Sequence, residues 1–239
     1  MKIALIGYGK MGQAIEKMAI EKGHQIVLKI DVNNANELNS ANLQNADVAI
    51  EFTGPNSAYN NVLKCINSGI PVVCGSTGWL ENLPNIEAVC LQKKGAFIYA
   101  SNFSIGVNLF FELNKYLAQL MQKHNEYEVS ITEIHHTQKK DAPSGTAITL
   151  AEQIMQEIKT KKKWVNKYTQ QSDELSIISE RIDPAPGTHK ILYHSEIDDI
   201  EIIHTAHSRM GFAGGAILAA EFLVGKQGIF TMKNVLGFN

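Results

Sequence analysis

Residues 1–12 read Met1-Lys2-Ile3-Ala4-Leu5-Ile6-Gly7-Tyr8-Gly9-Lys10-Met11-Gly12, a short apolar run closed by the spacing G-x-G-x-x-G. The run predicts a buried strand, and the amphipathic stretch over 10–22 predicts the helix that leaves it. In that setting each glycine has its own reason. Gly7 permits the tight turn, Gly9 lets backbone approach a pyrophosphate, and Gly12 lets the helix lie close to the strand. Lys10 and Met11 open the helix, whose first N–H groups would face the anion. Asp31 ends a second strand over 25–30, where its carboxylate can accept hydrogen bonds from ribose hydroxyls. Together these residues predict a dinucleotide site. Asp31 should repel a 2′-phosphate, and Val32-Asn33-Asn34 offers no Arg to neutralise one, so NADH is favoured over NADPH. Lys10 or Lys29 could compensate, which leaves NADPH use open.

The alternation continues outward from that stretch. Strands over 48–52, 71–74 and 96–99, with helices over 57–68 and 85–93 between them, predict a parallel sheet with helices on both faces. After a helix over 107–122 the texture changes to longer alternating runs at 128–134, 176–182, 189–195 and 200–206, which suit a mixed or antiparallel sheet. A helix over 146–159 lies among them. The polar stretch 160–174, with Lys161-Lys162-Lys163, reads as a solvated loop. Helical periodicity returns over 213–224, in a segment able to pack back on the first domain. The expected architecture is α/β: a Rossmann-type doubly wound domain from 1–105 and 213–239, and a second α+β domain, 106–212, for substrate binding and oligomerisation.

Composition narrows the function classes. Hydrophobic residues make up 44% and charged residues 19% of the 239, which argues against disorder. A net charge of −2 supplies no general attraction to nucleic acid or anionic lipid. The longest apolar stretch away from the N-terminus, 212–224, is broken by Gly214, Gly215 and Glu221 and is too short for a bilayer span. The N-terminal run is too short for a signal-peptide core. The three cysteines contain no C-x-x-C and read as buried apolar residues of a reducing compartment, so a cytoplasmic protein is expected.

Chemistry is densest over 133–147: Glu133-Ile134-His135-His136-Thr137-Gln138-Lys139-Lys140-Asp141-Ala142-Pro143-Ser144-Gly145-Thr146-Ala147. Adjacent His135 and His136 on one strand point to opposite faces and so take different jobs. Ser144 is placed to cap a helix, leaving the helix start near Gly145 and Thr146 to attract a carboxylate. A histidine is a natural proton donor at neutral pH, and the lysines beside it would hold an anionic substrate. Metal ligation is the weaker reading: His204 and His207, three positions apart on one expected strand, would face opposite ways. No metal is expected.

These stretches, with Gly75-Ser76-Thr77-Gly78, 100–108 and His207-Ser208-Arg209-Met210, resemble the 4-hydroxy-tetrahydrodipicolinate (dihydrodipicolinate) reductase family nearly end to end. The Lys-Lys-Asp-Ala-Pro-Ser-Gly-Thr-Ala run is specific to that family, whereas the glycine turn is shared by many. The resemblance implies an oxidoreductase of lysine and diaminopimelate synthesis. It implies His135 as the acid and Lys139 as its partner, with His136, Gly145 and Thr146 binding substrate carboxylates. It also implies nicotinamide-side contacts from Gly75, Ser76 and Thr77, and from Ala100, Ser101, Asn102 and Phe103. Arg209 and Phe212 would lie near substrate or a hinge, domain closure would accompany catalysis, and the second domain would assemble a homotetramer. The chain is short, and Ser76 stands where many members have Thr. The rival readings are another two-domain nicotinamide dehydrogenase of a small amino or hydroxy acid, and a non-catalytic dinucleotide sensor.

Overall fold

The first strand, β1 (Lys2–Ile6), buries apolar side chains on both faces: Ile3 and Leu5 enter one core, Ala4 and Ile6 another. A parallel strand covered by helices on both sides has no solvent face, which is why the run shows no polar alternation. In the computed structural model, which describes residues 1–238, the chain continues through α1 (Lys10–Glu21), β2 (Gln25–Ile30), α2 (Ser40–Leu43), β3 (Val48–Glu51), α3 (Pro55–Asn67), β4 (Val72–Cys74), α4 (Leu83–Gln92) and β5 (Ala96–Tyr99). Next come α5 (Ile105–Met121), β6 (Glu128–His135), α6 (Gly145–Glu157), β7 (Lys163–Val165), β8 (Glu174–Arg181), β9 (Gly187–His194) and β10 (Asp199–Ala206). The chain then ends through α7 (Met210–Leu223), β11 (Gly228–Phe230) and α8 (Met232–Leu236).

Two compact units result: Met1–Ile105 with the segment from Arg209 onward, and Gly106–Ser208. The first holds a six-stranded parallel sheet in the order β11-β5-β4-β3-β1-β2. On one face, Ile15 and Ala19 of α1 and Ala213, Ala216, Ile217 and Ala220 of α7 pack against Ile3, Leu5, Val48, Ile50 and Ile98. On the other, Ala58, Val62 and Cys65 of α3 and Ile86 and Cys90 of α4 cover Ala4, Ile6, Ala49, Val72 and Phe97. The second unit holds a five-stranded mixed sheet, β10-β9-β6-β8-β7, with β6, β9 and β10 antiparallel to one another in turn and β6, β8 and β7 parallel. Helices α5 and α6 supply Phe110, Phe111, Ala118, Leu150 and Ile154 to the core over Val129, Ile131, Ile177 and Ile191. Buried Asn114 ties the two helices together, donating to Leu150 O at 3.1 Å and Gln153 Oε1 at 2.9 Å.

Four features differ from the sequence expectation. The stretch 160–174 is not a plain solvated loop: Lys163–Val165 joins the sheet edge as β7, and Lys161 is only 6% exposed, paired with Glu128 and donating to Glu174 O at 3.0 Å. A three-residue strand carries no readable period, and the partners of Lys161 come from other strands. Short β11, parallel to β5, is likewise too brief to carry a readable period. The boundary between units falls after Ser208 rather than after 212, because α7 starts at Met210 and its small apolar residues belong to the first core. Finally, β10 ends at Ala206, so His207 lies beyond the strand and the facing argument applied to it does not hold. Among the described residues, no helix is long and apolar enough to cross a membrane.

Candidate active site

In the first unit a cleft of about 450 Å³ opens at the carboxyl ends of β1, β2 and β3, lined by Gly7, Tyr8, Gly9, Asp31, Val32, the turn Phe52–Gly54 and the first turn of α3. Ligand crevices of open α/β sheets lie at that edge. Gly7 has φ +97°, and a Cβ on it would come 2.2 Å from Phe52 O; one on Gly12 would come 2.1 Å from Gly7 O. These two are required by the turn and by packing. Gly9 meets nothing within 4 Å, so the space beside its backbone is open to a ligand. The residues therefore fit a dinucleotide: backbone can approach a pyrophosphate at the start of α1, and exposed Asp31 stands at the ribose end. Asp31 Oδ1 accepts from Val32 N at 2.8 Å, and Asn34 Oδ1 accepts from Asp31 N at 2.7 Å, which fixes this corner. Lys10 is exposed at the head of α1, while Met11 packs against the core. Lys29 is engaged elsewhere, 3.3 Å from Glu16 and 5.0 Å from the centroid of the Tyr8 ring, and Tyr8 itself donates to Glu16.

The turns after β4 and β5 divide into bracing and open residues. Ser76 is buried and its Oγ accepts from Thr53 N at 2.8 Å, while its carbonyl accepts from Trp79 Nε1 at 2.7 Å. Gly75 N donates to Glu51 O at 2.9 Å, and Thr77 is exposed. Ala100 N donates to Cys74 O at 3.2 Å, Ser101 is exposed, and Asn102 Oδ1 accepts from Ser104 N at 2.9 Å. Phe103 is 2% exposed, with its ring 5.7 Å from that of Phe52, so its side chain packs in the core while its backbone closes the turn. Glu51, which sequence reading passed over, is fully buried at the end of β3; it accepts from Thr53 N and Cys74 Sγ, both at 3.1 Å, and holds the turn that lines the cleft.

In the second unit the buried face of β6 runs Val129, Ile131, Glu133, His135. His135, 8% exposed, ends the strand; half-buried His136 lies just beyond it, so strand alternation does not fix its side. Lys139 Nζ lies 2.9 Å from Asp141, whose carboxyl burial would raise but whose hydrogen bond and charge interaction with Lys139 bring it below its ordinary range. Lys140 is exposed. Ser144 caps α6: its Oγ accepts from Ala147 N at 3.2 Å and lies 3.1 Å from His189 Nε2, while its N–H donates to Glu133 at 3.1 Å. Exposed Gly145 and half-buried Thr146 then form the positive end of a 13-residue helix. Burial first, and the charge of His135 second, push His189 down to about 3, so it is neutral at physiological pH. Glu133, His135 and His189 offer three ligand atoms within 4.8 Å of one another. Arg181, however, already sets its guanidinium 3.1 Å from Glu133 and supplies the cation there. Arg209 belongs to the first unit, exposed just ahead of α7, not to the second as expected.

The structure thus gathers His135, His136, Lys139, Ser144, Gly145 and Thr146 on β6, α6 and the turn between them. It adds Glu133, Arg181 and His189, which carried no assigned role in the sequence. A period-two signal was present for one of them, since Glu133 shares a strand face with His135.

A dinucleotide-binding sheet and a separate sheet bearing an imidazole–lysine cluster beside a helix start define a two-domain oxidoreductase. A family model described as the dihydrodipicolinate reductase N-terminus matches residues 1–103, and one described as its C-terminus matches 106–236. The 4-hydroxy-tetrahydrodipicolinate reductase of Christiangramia forsetii is 51% identical over 99% of this chain and 98% of its own. That of Methanoculleus marisnigri is 34% identical over 82% of this chain and 78% of its own. Among solved structures, the dipicolinate-bound dihydrodipicolinate reductase of Paenisporosarcina sp. TG-14 shares the fold with a TM-score of 0.77 at 23% identity, covering 97% of both chains. The chain belongs to the dihydrodipicolinate reductase family.

Proposed function

We propose that the chain reduces 4-hydroxy-tetrahydrodipicolinate to tetrahydrodipicolinate in lysine and diaminopimelate biosynthesis, as a cytoplasmic homotetramer. The observation that carries this reading is the convergence on one sheet end of His135, Lys139 and the α6 start in a chain half identical to a named reductase. When bound, the nicotinamide supplies a hydride. The substrate hydroxyl leaves as water together with a proton from the adjacent ring carbon, and His135 delivers the proton that balances the hydride to the carbon next to the one reduced. Lys139 holds positive charge beside that transfer, released from Asp141 when a substrate carboxylate competes for it. His136, Gly145 and Thr146 hold the carboxylates, the last two through the helix start.

Cofactor choice follows from the first cleft. Asp31 lines it, and Lys29 is committed to Glu16 and Tyr8, so neither favours a 2′-phosphate. NADH is the preferred reductant. Gly7, Gly9, Lys10, Met11, Gly12 and Asp31 form the adenosine and pyrophosphate side. Gly75, Ser76 and Thr77, with Ala100, Ser101 and Asn102, frame the nicotinamide side, Ser76 by bracing.

The test is NADH oxidation with the condensation product of pyruvate and aspartate semialdehyde. Turnover is expected, with a higher kcat/KM for NADH than for NADPH, and His135→Gln should lower kcat by on the order of 100-fold while NADH binding stays intact. Absence of turnover by the unaltered chain rejects the substrate. Equal turnover by His135→Gln rejects the acid.

A further inference from the structure

Glu133 is a carboxylate with 0% exposure, set between apolar Ile131 and the imidazole of His135 on the inner face of β6. An anion so placed is costly unless its oxygens are served. Oε1 accepts from Ser144 N and from Arg181 Nη2, both at 3.1 Å. Arg181 is itself anchored, its Nη2 donating to Asp141 O at 2.6 Å and its Nη1 to Glu180 O at 2.7 Å. Oε2 stands 3.0 Å from His135 Nδ1 and 3.9 Å from His189 Nε2. Burial works against the anion, but the approach of His135 and the hydrogen bonds from Ser144 and Arg181 outweigh it, holding the carboxyl well below the usual range.

The contact of Glu133 Oε2 with His135 Nδ1 is close but off the hydrogen-bond axis; both atoms are sealed from solvent, and neither has an aligned partner elsewhere. Buried polar atoms rarely stay unserved. A proton on Nδ1 serves both at once; a lone pair there would face an anion and serve neither. The opposite edge of the ring is also defined. Gly187, at the head of β9, lies so close that a Cβ on it would come 3.1 Å from His135 Nε2 and 3.3 Å from Cδ2. His189 stacks edge-on, 5.1 Å between centroids, and being neutral adds no competing charge.

We infer that Glu133 is a positioning residue for His135: the buried carboxylate keeps a proton on Nδ1 and so assigns Nε2 as the nitrogen that exchanges a proton with substrate. The inference rests on the reading of His135 as the acid. Arg181 and Ser144 fix the carboxylate, so three segments distant in the chain converge to orient one ring. Replacement by an amide presents a donor to Nδ1 and reverses the tautomer.

The experiment joins kinetics to ¹⁵N NMR of histidine-labelled protein with NADH bound. In the unaltered protein the neutral His135 ring is expected to carry its proton on Nδ1. In Glu133→Gln the proton moves to Nε2, and kcat falls by on the order of 100-fold with the dissociation constant for NADH unchanged. Glu133→Asp, which keeps the charge at shorter reach, should recover part of kcat. A neutral ring protonated on Nε2 in the unaltered protein overturns the inference, and that measurement needs no variant to fold. Wild-type kcat in a folded Glu133→Gln overturns it too, as does loss of NADH affinity in parallel with kcat, which marks general destabilisation. Undiminished turnover by His135→Gln instead refutes the acid assignment itself, whatever Glu133 does.

Discussion

Gly7, Gly9 and Gly12 make one motif but answer to different forces. Gly12 is held by packing, since a Cβ there would lie 2.1 Å from Gly7 O, whereas Gly9 borders open space. Gly12→Ala should therefore cost about 1–3 kcal/mol of stability, read as a lower urea midpoint. Gly9→Ala should leave stability within about 0.5 kcal/mol yet raise the KM for NADH, because the added methyl occupies the approach to the pyrophosphate. Equal destabilisation by both would contradict this division. The spacing named all three residues in the sequence, because a glycine turn is set by backbone sterics within a dozen positions. Which of them faces ligand depends on Phe52, whose carbonyl crowds Gly7 from the turn after another strand.

At the scale of elements, β6 and β9 bring together two groups whose protonation opposes acid. His189 on β9 sits at about 3 in the folded chain against an ordinary 6.5, so between those values the unfolded chain binds a proton that the folded one does not. Stability then falls as pH drops through that window. Glu133 acts in the same direction at lower pH: its folded carboxyl stays ionised below its ordinary 4.5, where the unfolded one protonates. The urea midpoint is expected to decline from pH 6.5 downward and to steepen below 4.5. In His189→Gln the limb between 6.5 and 4.5 should flatten. A parent midpoint that is level from pH 7 to 4.5 would refute the assignment of a neutral, buried His189. None of this was visible as a pattern. The alternation of β6 was legible and predicted a strand over 128–134, but a buried carboxylate looks like any other Glu until Arg181, 48 positions away, is seen to pair with it. The Lys161-Lys162-Lys163 run misled for the same reason: Glu128, the partner of Lys161, lies 33 positions off.

At the scale of the molecule, the chain leaves the first unit at Ile105 and returns at Arg209. The sheet of the second unit ends on β10, whose exposed positions are Asp199, Glu201, Ile203 and Thr205, with Ile203 53% exposed. The proposed tetramer predicts sedimentation at four times the chain mass of 26.4 kDa. Ile203→Glu should shift the protein to smaller species, since an edge charge opposes strand and sheet association. A monomer in the unaltered protein at micromolar concentration would refute the assembly.

The amino-acid order alone settled the class of each unit, because hydrophobic period, glycine spacing and the helix-cap signal at Ser144 are local properties readable within a dozen residues. It also held the chemical cluster over 133–147, which lies on one strand, one turn and one helix start. Left to the folded chain were the partners of that cluster. Glu133 finds Arg181 and His189, Phe103 retreats into the core, Lys29 is taken by Glu16, and the unit boundary moves to Arg209. Each is a long-range choice made by burial and charge pairing, and such choices leave no periodic trace in the chain.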